Sequence, residues 1–305
     1  MNKAGTSFSI GIGGWEHDVL DRCFYPSPQA GLLEKLAYYS KVFDTVEVRA
    51  TFWDDALTGE DAKKWIQAVR ENRRFTFNVK LHASFTHKKS IRPQVTRSVR
   101  SLLHELLKAD RLGTLLIQFP YSFTNTSTNR FHLVKLAEGF AGYPMHVEFR
   151  HESWNQPSTW DLLAEKSLSL TSPDLPHIRQ FMPYTSSIVG DRAYLRLHGR
   201  NEKGWLLNSL DARYDYLYNG KEIREIVRRV EAISHKSRHV TIIFNNTTGG
   251  KAVANALQFV SALRAGKHVL VPEATLRTFP HLHEIASVVQ PGLGLIVNAG
   301  YRQAI

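Results

Sequence analysis

Six segments of this chain share one pattern, an apolar run whose downstream end carries polar residues at alternate positions. The segments read VEVRATF, FNVKLH, LLIQFP, HVEFRH, YLRLHG and TIIFNN. A strand that is buried on both faces normally reads as an almost uninterrupted run of Val, Ile, Leu and Phe. Polar side chains that return at the same end of several strands therefore need a common cause. The pattern predicts one polar site shared by these strand ends.

The same pattern divides the chain into alternating strands and helices. Short β-rich runs are predicted near residues 7–13, 45–53, 75–82, 114–119, 145–150, 167–172, 193–198 and 240–245. Helical periodicity predicts seven helices between them, at 31–43, 59–72, 94–110, 129–140, 157–166, 221–235 and 250–264. The connection over 176–190 has no clear helical pattern.

Eight strands that alternate with helices predict parallel pairing with right-handed crossovers, and eight such units close into a barrel. We therefore expect an α/β fold, a single (β/α)8 TIM-type barrel over residues 1–265 with a C-terminal extension over 266–305. The extension carries a short predicted helix near 281–287 and the apolar run LGLIV. An open doubly wound sheet is the alternative, but the segment G-I-G-G-W lacks the third glycine and the immediate helix of a dinucleotide-binding motif.

Composition and charge narrow the class of protein. The 305 residues are 43% hydrophobic, which is enough for a large core, and the formal net charge of +11 attracts nucleic acids, phosphorylated metabolites or anionic lipids. The single cysteine, Cys23, cannot form an internal disulfide, and residues 1–7 lack the features of a secretory signal. No window holds the roughly 18 apolar residues of a membrane span. We expect a cytoplasmic protein without integral membrane association, and the sequence leaves its oligomeric state open.

Parity along each strand predicts which side chains face the barrel interior, whose active sites lie at the C-terminal strand ends. The polar residues predicted on inward faces are Glu47, Arg49 and Thr51 in the second strand, Asn78, Lys80 and His82 in the third, His146, Glu148 and Arg150 in the fifth, Tyr194, Arg196 and His198 in the seventh, and Gln118 and Asn245 in the fourth and eighth. With Asp174 and Arg200 included, three carboxylates face five cations. This excess predicts an anionic ligand with a phosphate or acidic group, rather than a self-neutralised structural network.

Proton transfer is predicted for Glu148, His198 and Asp174, because a histidine titrates near neutral pH and a carboxylate among cations stays ionised. The expected substrate-binding residues are Glu47, Arg49, Lys80, His87, Gln118, Arg150, His151, Trp154, Arg196, Arg200, Asn245 and Asn246. No metal site is predicted, because the strand-end histidines belong to no H-E-x-x-H or similar motif and the nearby cations oppose divalent ions. No cofactor is clearly implied.

Ordered short motifs along most of the chain resemble the YecE-like family, known as domain of unknown function 72. They are G-I-G-G-W (11–15), F-Y-P (24–26), T-V-E-V-R-A-T-F-W (45–53), Lys80 with Thr86-His87, Q-F-P (118–120), E-F-R-H-E-S-W (148–154), D-L-P (174–176), H-G-R (198–200), R-Y-D-Y-L-Y (213–218) and F-N-N (244–246). The resemblance implies an eight-stranded α/β barrel and no assigned activity. Three positions depart from the family pattern: Arg49 and Ala50 replace a typical Asn and Ser, and Gly13 replaces a usual Ser. The added guanidinium suggests a more anionic ligand or a divergent branch.

Three functions remain open on this sequence. The first is an enzyme, a hydrolase or isomerase, that acts by acid/base chemistry on a phosphate-bearing or other anionic substrate held by Lys80, Arg150, Arg196 and Arg200. The second is a noncatalytic nucleic-acid binder that stacks bases on aromatic residues, namely Trp15, Trp53, Trp154 and the segment 214–218. The third is a metal-dependent phosphodiesterase with ligands among His87, His151, Glu148 and Asp174.

Overall fold

The computed structural model describes residues 5–207 and 209–287. Eight strands form one sheet in the order β1-β8-β7-β6-β5-β4-β3-β2, and all of its ladders are parallel. The strands are β1 Ser7–Ile12, β2 Thr45–Val48, β3 Thr76–Lys80, β4 Leu112–Gln118, β5 Met145–Glu148, β6 Ser169–Asp174, β7 Arg192–Leu197 and β8 His239–Phe244. This nearly closed barrel confirms the predicted (β/α)8 architecture.

Helices fill the connections on the outside of the sheet. Their bounds are α1 Asp18–Cys23, α2 Leu32–Val42, α3 Gly59–Ala68, α4 Ala83–Thr86, α5 Pro93–Lys108, α6 Ser127–Gly139, α7 Pro157–Glu165, α8 Glu202–Leu206, α9 Leu210–Arg213, α10 Gly220–Ser234, α11 Lys251–Leu263 and α12 Glu273–Thr278. Short 3-10 helices follow β2, β5 and β8, at Ala50–Phe52, Glu152–Trp154 and Thr248–Gly250. The seven predicted helices are confirmed, and the connection between β6 and β7 has no helix, as expected.

Local capping residues explain where several helices begin. Thr58 precedes α3, and its backbone N–H donates to Asp61 Oδ2 at 3.0 Å. Asn219 precedes α10, and its side-chain oxygen accepts the N–H groups of Lys221 and Glu222. Such contacts satisfy backbone donors that the first helical turn leaves free. The helix starts are therefore encoded locally and fix where each connection leaves the barrel.

Alternation along the strands separates the hydrophobic core from a polar interior. In β2, Val46 and Val48 belong to the hydrophobic core, whereas Glu47 between them is equally buried and reaches Arg196 of β7 across the barrel. Successive side chains of a strand point to opposite faces, so the apolar set packs under the helices and the polar set fills the barrel. The predicted parity is confirmed for these two charged residues.

The barrel closes between β1 and β2 without a continuous ladder. All six residues of β1 pair with β8. On the other side, one isolated bridge joins Gly13 to Glu47, and the Gly14 N–H donates to the Glu47 carbonyl at 2.9 Å. This bridge lies at the C-terminal ends of the strands, so the backbone of Glu47 is held at the seam while its side chain enters the barrel.

A tyrosine hydroxyl from α2 completes the seam further down. The Ile12 N–H donates to the Tyr39 hydroxyl at 2.8 Å, and that hydroxyl donates to the Thr45 carbonyl at 3.0 Å. A Cβ placed on Gly11 would overlap the same carbonyl, so only glycine permits this approach of the two strands. The side chain thus satisfies two backbone groups that direct strand pairing would otherwise satisfy.

The described part of the extension packs against the barrel. A short β9 (Val269–Leu270) pairs with β10 (Ala286–Ser287), and α12 and a 3-10 helix at Pro280–Ile285 lie between them. The Thr275 hydroxyl donates to the Cys23 carbonyl at 2.7 Å, which attaches α12 to α1. The 3-10 helix coincides with the short helix predicted near 281–287, whereas the LGLIV run lies outside the described residues. Within residues 5–207 and 209–287, no helix combines the length and apolarity needed to cross a membrane.

Candidate functional site

Arg196 is the centre of a buried ionic cluster inside the barrel. Its Nε and Nη2 donate to the two carboxylate oxygens of Glu47 at 2.7 and 2.5 Å, and its Nη1 donates to Glu148 Oε2 at 2.7 Å. Arg196 is 2% exposed and both glutamates are wholly buried. Burial alone would lower the pKa of Arg196, but the two carboxylates hold it well above its ordinary value. The paired arrangement therefore keeps the Arg196 guanidinium charged.

Arg150 extends this cluster from the end of β5 toward the mouth. Its Nε lies 2.5 Å from Glu148 Oε1, and its Nη2 lies 3.1 Å from His198 Nε2. The ring of Trp205, from α8, covers the guanidinium at 5.2 Å. Burial would raise the pKa of Glu148, but Arg150 and Arg196 hold it well below its usual range. Glu148 is thus an ionised anchor between two arginines.

His198 is wholly buried behind Arg150 and is neutral. Burial, followed by the charge of Arg150, holds the pKa of His198 well below its ordinary value. Its Nδ1 lies 2.9 Å from the Asn245 amide, whose Oδ1 has no hydrogen-bond partner among the described residues. Nε2 also lies 3.4 Å from Glu148 Oε1, so the ring contacts both members of the Arg150–Glu148 pair.

Lys80 ends β3 in a different environment. Its Nζ lies 3.8 Å from the centre of the Phe52 ring, and its side chain is partly exposed. The nearby carboxylates, Glu47 and Glu148, are occupied by arginines, and the ammonium has no carboxylate partner in the described part of the chain. Burial, followed by the charge of Arg196, lowers the pKa of Lys80 to about 7. Lys80 is the member of the site with both access to solvent and a pKa near neutrality.

Two further residues complete the mouth near Lys80. Arg49 Nη1 lies 3.1 Å from His17 Nε2, and burial and the charge of Arg49 lower the pKa of this histidine. The exposed ring of His87 meets the Phe52 ring edge-on at 4.9 Å. Burial and the charge of Lys80 lower the pKa of His87 to about 4. Arg49 is thus paired with a neutral group, and Lys80 and His87 share the Phe52 ring.

Asp174 and Arg200 form a second cluster, outside the barrel interior. Both oxygens of Asp174 accept from Arg200 at 2.8 Å, and Oδ2 also accepts the Tyr218 hydroxyl at 2.8 Å. Arg229 of α10 donates to Oδ1 at 3.2 Å. Asp174 pairs in register with Leu197, a residue of the hydrophobic core under the helices. Asp174 therefore faces α10, away from the cluster of Arg196, and its register explains why the two predicted groups separate.

A pocket of about 230 Å³ lies beside this second cluster. Its lining includes Asp174, Arg229 and Tyr184, together with the loop that follows β6. The Arg229 guanidinium stacks on the Tyr184 ring at 4.1 Å, and its Nη2 is paired with Glu225. Asp174 and Arg229 of the pocket wall are thus already paired, and we place the candidate site at the barrel mouth instead.

Comparison with known proteins agrees with this architecture. Residues 9–278 match the family described as "Protein of unknown function DUF72". The chain belongs to this family. The match includes the first thirteen residues of the predicted extension, 266–278. The UPF0759 protein YunF of Bacillus subtilis (strain 168) is 28% identical over 276 residues, which cover 83% of this chain and 94% of YunF.

Two solved DUF72 structures are similar to this chain. The Thermotoga maritima MSB8 protein TM1631 superposes with a TM-score of 0.74 at 30% identity, over 84% of this chain and 99% of TM1631. The Enterococcus faecalis V583 protein EF0366 superposes with a TM-score of 0.73 at 26% identity, over 87% of this chain and 98% of its own. The names of these relatives state no activity, so they do not indicate what the DUF72 site does.

Two predicted binding residues of this DUF72 protein support loops. His151 Nδ1 accepts the Ser153 N–H at 3.1 Å and so begins the 3-10 helix after β5. Trp154 is wholly buried, stacks on Phe149 at 4.2 Å and donates its indole N–H to the Phe123 carbonyl. These contacts shape the loop that carries Arg150, and they place both side chains outside the ionic cluster.

The predicted amide residues divide between the interior and the rim. Gln118 pairs in register with Glu148 and donates to the Phe119 carbonyl. Asn246 donates to the Tyr216 carbonyl and to Asn255 Oδ1, both at 2.8 Å. Asn246 therefore fixes the rim loop, whereas Gln118 lies beside the cluster without a described contact to its charges.

Four contributors to the site, Phe52, Trp205, Tyr194 and His17, are absent from the predicted binding set. Strand parity in the sequence indicated Tyr194, because it alternates with Arg196 along the same strand. In the structure its hydroxyl donates to Glu47 at 3.1 Å. Phe52 belongs to the motif after β2, but nothing in the sequence pairs it with Lys80. Trp205 lies in the short helix α8 after β7, where no strand periodicity orients a side chain, and gives no signal.

The geometry of the site bears on the two alternative functions, the metal-dependent phosphodiesterase and the nucleic-acid binder. Within the described ranges, no three His, Cys, Asp or Glu side chains are grouped so as to hold a metal ion. The ligands expected for a phosphodiesterase lie apart, with Asp174 in the second cluster and Glu148 held by arginines. Of the aromatic residues proposed to stack bases, Trp15, Trp154 and Tyr218 are buried, while Trp53 is 72% exposed.

Proposed function

We propose that this protein is an enzyme that binds a small anionic substrate at the C-terminal mouth of its barrel and transfers protons on it. One observation carries this proposal, the ammonium of Lys80 without a carboxylate partner. Glu47 and Glu148 are balanced by Arg196 and Arg150. Lys80 and Arg49 add charge to the mouth that no described carboxylate pairs. A substrate carboxylate or phosphate would supply the missing anion.

The proton-transferring group of this proposal is Lys80, which differs from the expectation based on the sequence. An amine with a pKa near the working pH is populated in both protonation states, as general acid–base catalysis requires. Glu148 and His198 are buried and hold Arg150 from two sides, so we assign them as positioning residues. Isomerases and hydrolases both use a group of this kind.

Thermal and chemical stability with and without ligand test the proposal. Wild type would be titrated with inorganic phosphate, malonate, glycerol and a short single-stranded oligonucleotide, and compared with Lys80→Met and Arg49→Gln. An anion at about 100 times its Kd should add about 2.7 kcal/mol to the free energy of unfolding of wild type. We expect this gain with phosphate or malonate, none with glycerol, and a much smaller gain in Lys80→Met.

The control is Asp174→Asn, in the second cluster. It should lower the stability of the unliganded protein, because Arg200 and Arg229 lose a charged partner, but should leave the anion-dependent gain intact. The proposal fails if no small anion stabilises wild type, or if both mouth variants keep the full gain. Stabilisation by the oligonucleotide alone, lost as salt is raised, would favour the nucleic-acid alternative.

A further inference from the structure

We propose that Lys80 forms a protonated Schiff base with an aldehyde or ketone group of the anionic substrate, an inference that rests on the proposed function. The substrate class is therefore a carbonyl compound that also bears a carboxylate or phosphate. A lysine can attack a carbonyl when its amine is uncharged, reachable from solvent and not tied up in an ion pair. Each of these conditions corresponds to a feature of the barrel mouth.

Burial and the charged groups around Lys80 explain why its amine is available. Burial is the largest cause of the lowered pKa of Lys80, Arg196, Arg49 and Arg150 also oppose its protonation, and of the interior carboxylates Glu47 favours it. The bidentate contact of Arg196 occupies both oxygens of Glu47, so this carboxylate is not a hydrogen-bond partner of Lys80. The amine thus lies among cations, an arrangement that activates lysine nucleophiles.

Lys80 differs from described lysines that have a carboxylate partner. Lys35, for example, lies 2.6 Å from the carboxylate of Asp21. With the pKa of Lys80 at about 7, about half of its amines are uncharged at pH 7. An unperturbed lysine with a pKa near 10.4 is uncharged in only roughly one molecule in 2,500. Reaction at Lys80 should therefore be selective at neutral pH.

The step balances without any further reactant. The Nζ lone pair forms a bond to the carbonyl carbon, and a proton moves from nitrogen to the former carbonyl oxygen, giving a carbinolamine. The hydroxyl then leaves as water with a proton from solvent, and the protonated imine remains. The Phe52 ring, which lies 3.8 Å from the ammonium, would face the cationic imine in the same way.

Reductive trapping tests the inference directly. Full-length protein would be incubated at pH 7 with sodium cyanoborohydride and either pyruvate or glyceraldehyde 3-phosphate, which carry a carboxylate and a phosphate. Lactate has no carbonyl and acetone has no anion, so these serve as negative probes. We expect one dominant adduct, located at Lys80 by peptide mass spectrometry, with one or both anionic carbonyls and none with the negative probes.

Variants and pH separate this reaction from general lysine chemistry. Lys80→Arg keeps the charge without the nucleophile and should reduce trapping at least tenfold, whereas Lys64→Arg on the surface should not change it. In wild type, labelling at residue 80 should reach half its maximum near pH 7, well below the surface lysines. This pH profile is measured on wild type, so it tests the inference even if the Lys80→Arg variant does not fold.

Two results would overturn it. Adducts spread over exposed lysines, or unchanged trapping in a folded Lys80→Arg protein, would show that Lys80 has no special reactivity. If phosphate or malonate still stabilised wild type, the Schiff base would be rejected while the anion-binding function stood. If neither phosphate nor malonate stabilised wild type, both the Schiff base and the anion-binding function would be rejected.

Discussion

Gly13 and Arg49 lie against each other at the mouth of the barrel. A Cβ placed on Gly13 would lie 3.3 Å from Cδ of Arg49 and would overlap Oδ1 of Asn245. The absence of a side chain at Gly13 thus leaves room for Arg49 and Asn245, so the residues at positions 13 and 49 are sterically coupled.

The first prediction concerns this pair. Gly13→Ser should lower the free energy of unfolding by about 1–3 kcal/mol, because the new side chain displaces Asn245 and crowds Arg49. Adding Arg49→Asn should recover part of the loss, giving a coupling energy of at least about 0.5 kcal/mol in a double-mutant cycle. Urea denaturation of wild type, both single variants and the double variant measures it. Gly139→Ser is the control, since nothing lies within 4 Å of its added Cβ. Strict additivity of the two changes would contradict the prediction.

The buried arginine gives the second prediction. Arg196→Met leaves the carboxylates of Glu47 and Glu148 buried without their main partner, which should cost about 3–5 kcal/mol in urea unfolding. Arg92→Met, which breaks an exposed ion pair with Asp55 at 3.2 Å, should cost less than about 1 kcal/mol. Equal losses in the two variants would mean that the cluster does not depend on Arg196.

The third prediction is a pH dependence caused by His146, a buried residue of β5. Its Nδ1 lies 2.9 Å from the Thr114 hydroxyl, and burial lowers its pKa to about 4. Below pH 6.5 the unfolded chain binds a proton that the folded protein does not, so stability falls as the pH decreases toward 4. Between pH 7 and pH 5 this histidine should account for about 2 kcal/mol of the loss.

The comparison of His146→Gln with wild type measures that contribution. Unfolding in urea at a series of pH values should give a shallower decline for the variant, while His104→Gln on α5 controls for the loss of a histidine. Parallel curves for wild type and His146→Gln would assign the acid sensitivity to other groups.

The fourth prediction concerns the seam between β1 and β2. Tyr39→Phe removes the hydroxyl that joins the Ile12 N–H to the Thr45 carbonyl and leaves both groups buried, at a cost of about 1–3 kcal/mol. The Ile12 amide should also exchange with solvent faster. Tyr38→Phe, one residue earlier on α2, should change neither quantity, because no described residue bonds its hydroxyl. Unchanged exchange of the Ile12 amide in Tyr39→Phe would show that the seam closes by other means.

The sequence was sufficient to predict the barrel fold and the charged residues at the centre of its site. Strand parity has a period of two, so the alternation of polar and apolar residues in β2, β5 and β7 predicts Glu47, Glu148 and Arg196 on one interior face. The placement of Asp174 follows only from the structure, where Pro173 is in register with the inward-facing Arg196, which puts Asp174 on the helix side.

The surroundings of Lys80 show what the sequence could not provide. Its partners Phe52 and His87 lie on connections after β2 and β3, where neither helical nor strand periodicity orients a side chain. Its lowered pKa depends on Arg196 from the far side of the barrel. The distance between Lys80 and Arg196 is set by the closure and register of the whole barrel, and no local sequence pattern predicts it.

The partner of the first strand also determines when the barrel can be completed. β1 pairs with β8 over its full length, and Ser7 and His239, which meet at the start of that ladder, are 232 residues apart. During translation β1 leaves the ribosome before the other seven strands, and its partner β8 is the last of the eight to emerge. Until β8 emerges, β1 carries a strand edge with no partner in its own sheet. This edge is where cellular chaperones would have the longest opportunity to bind.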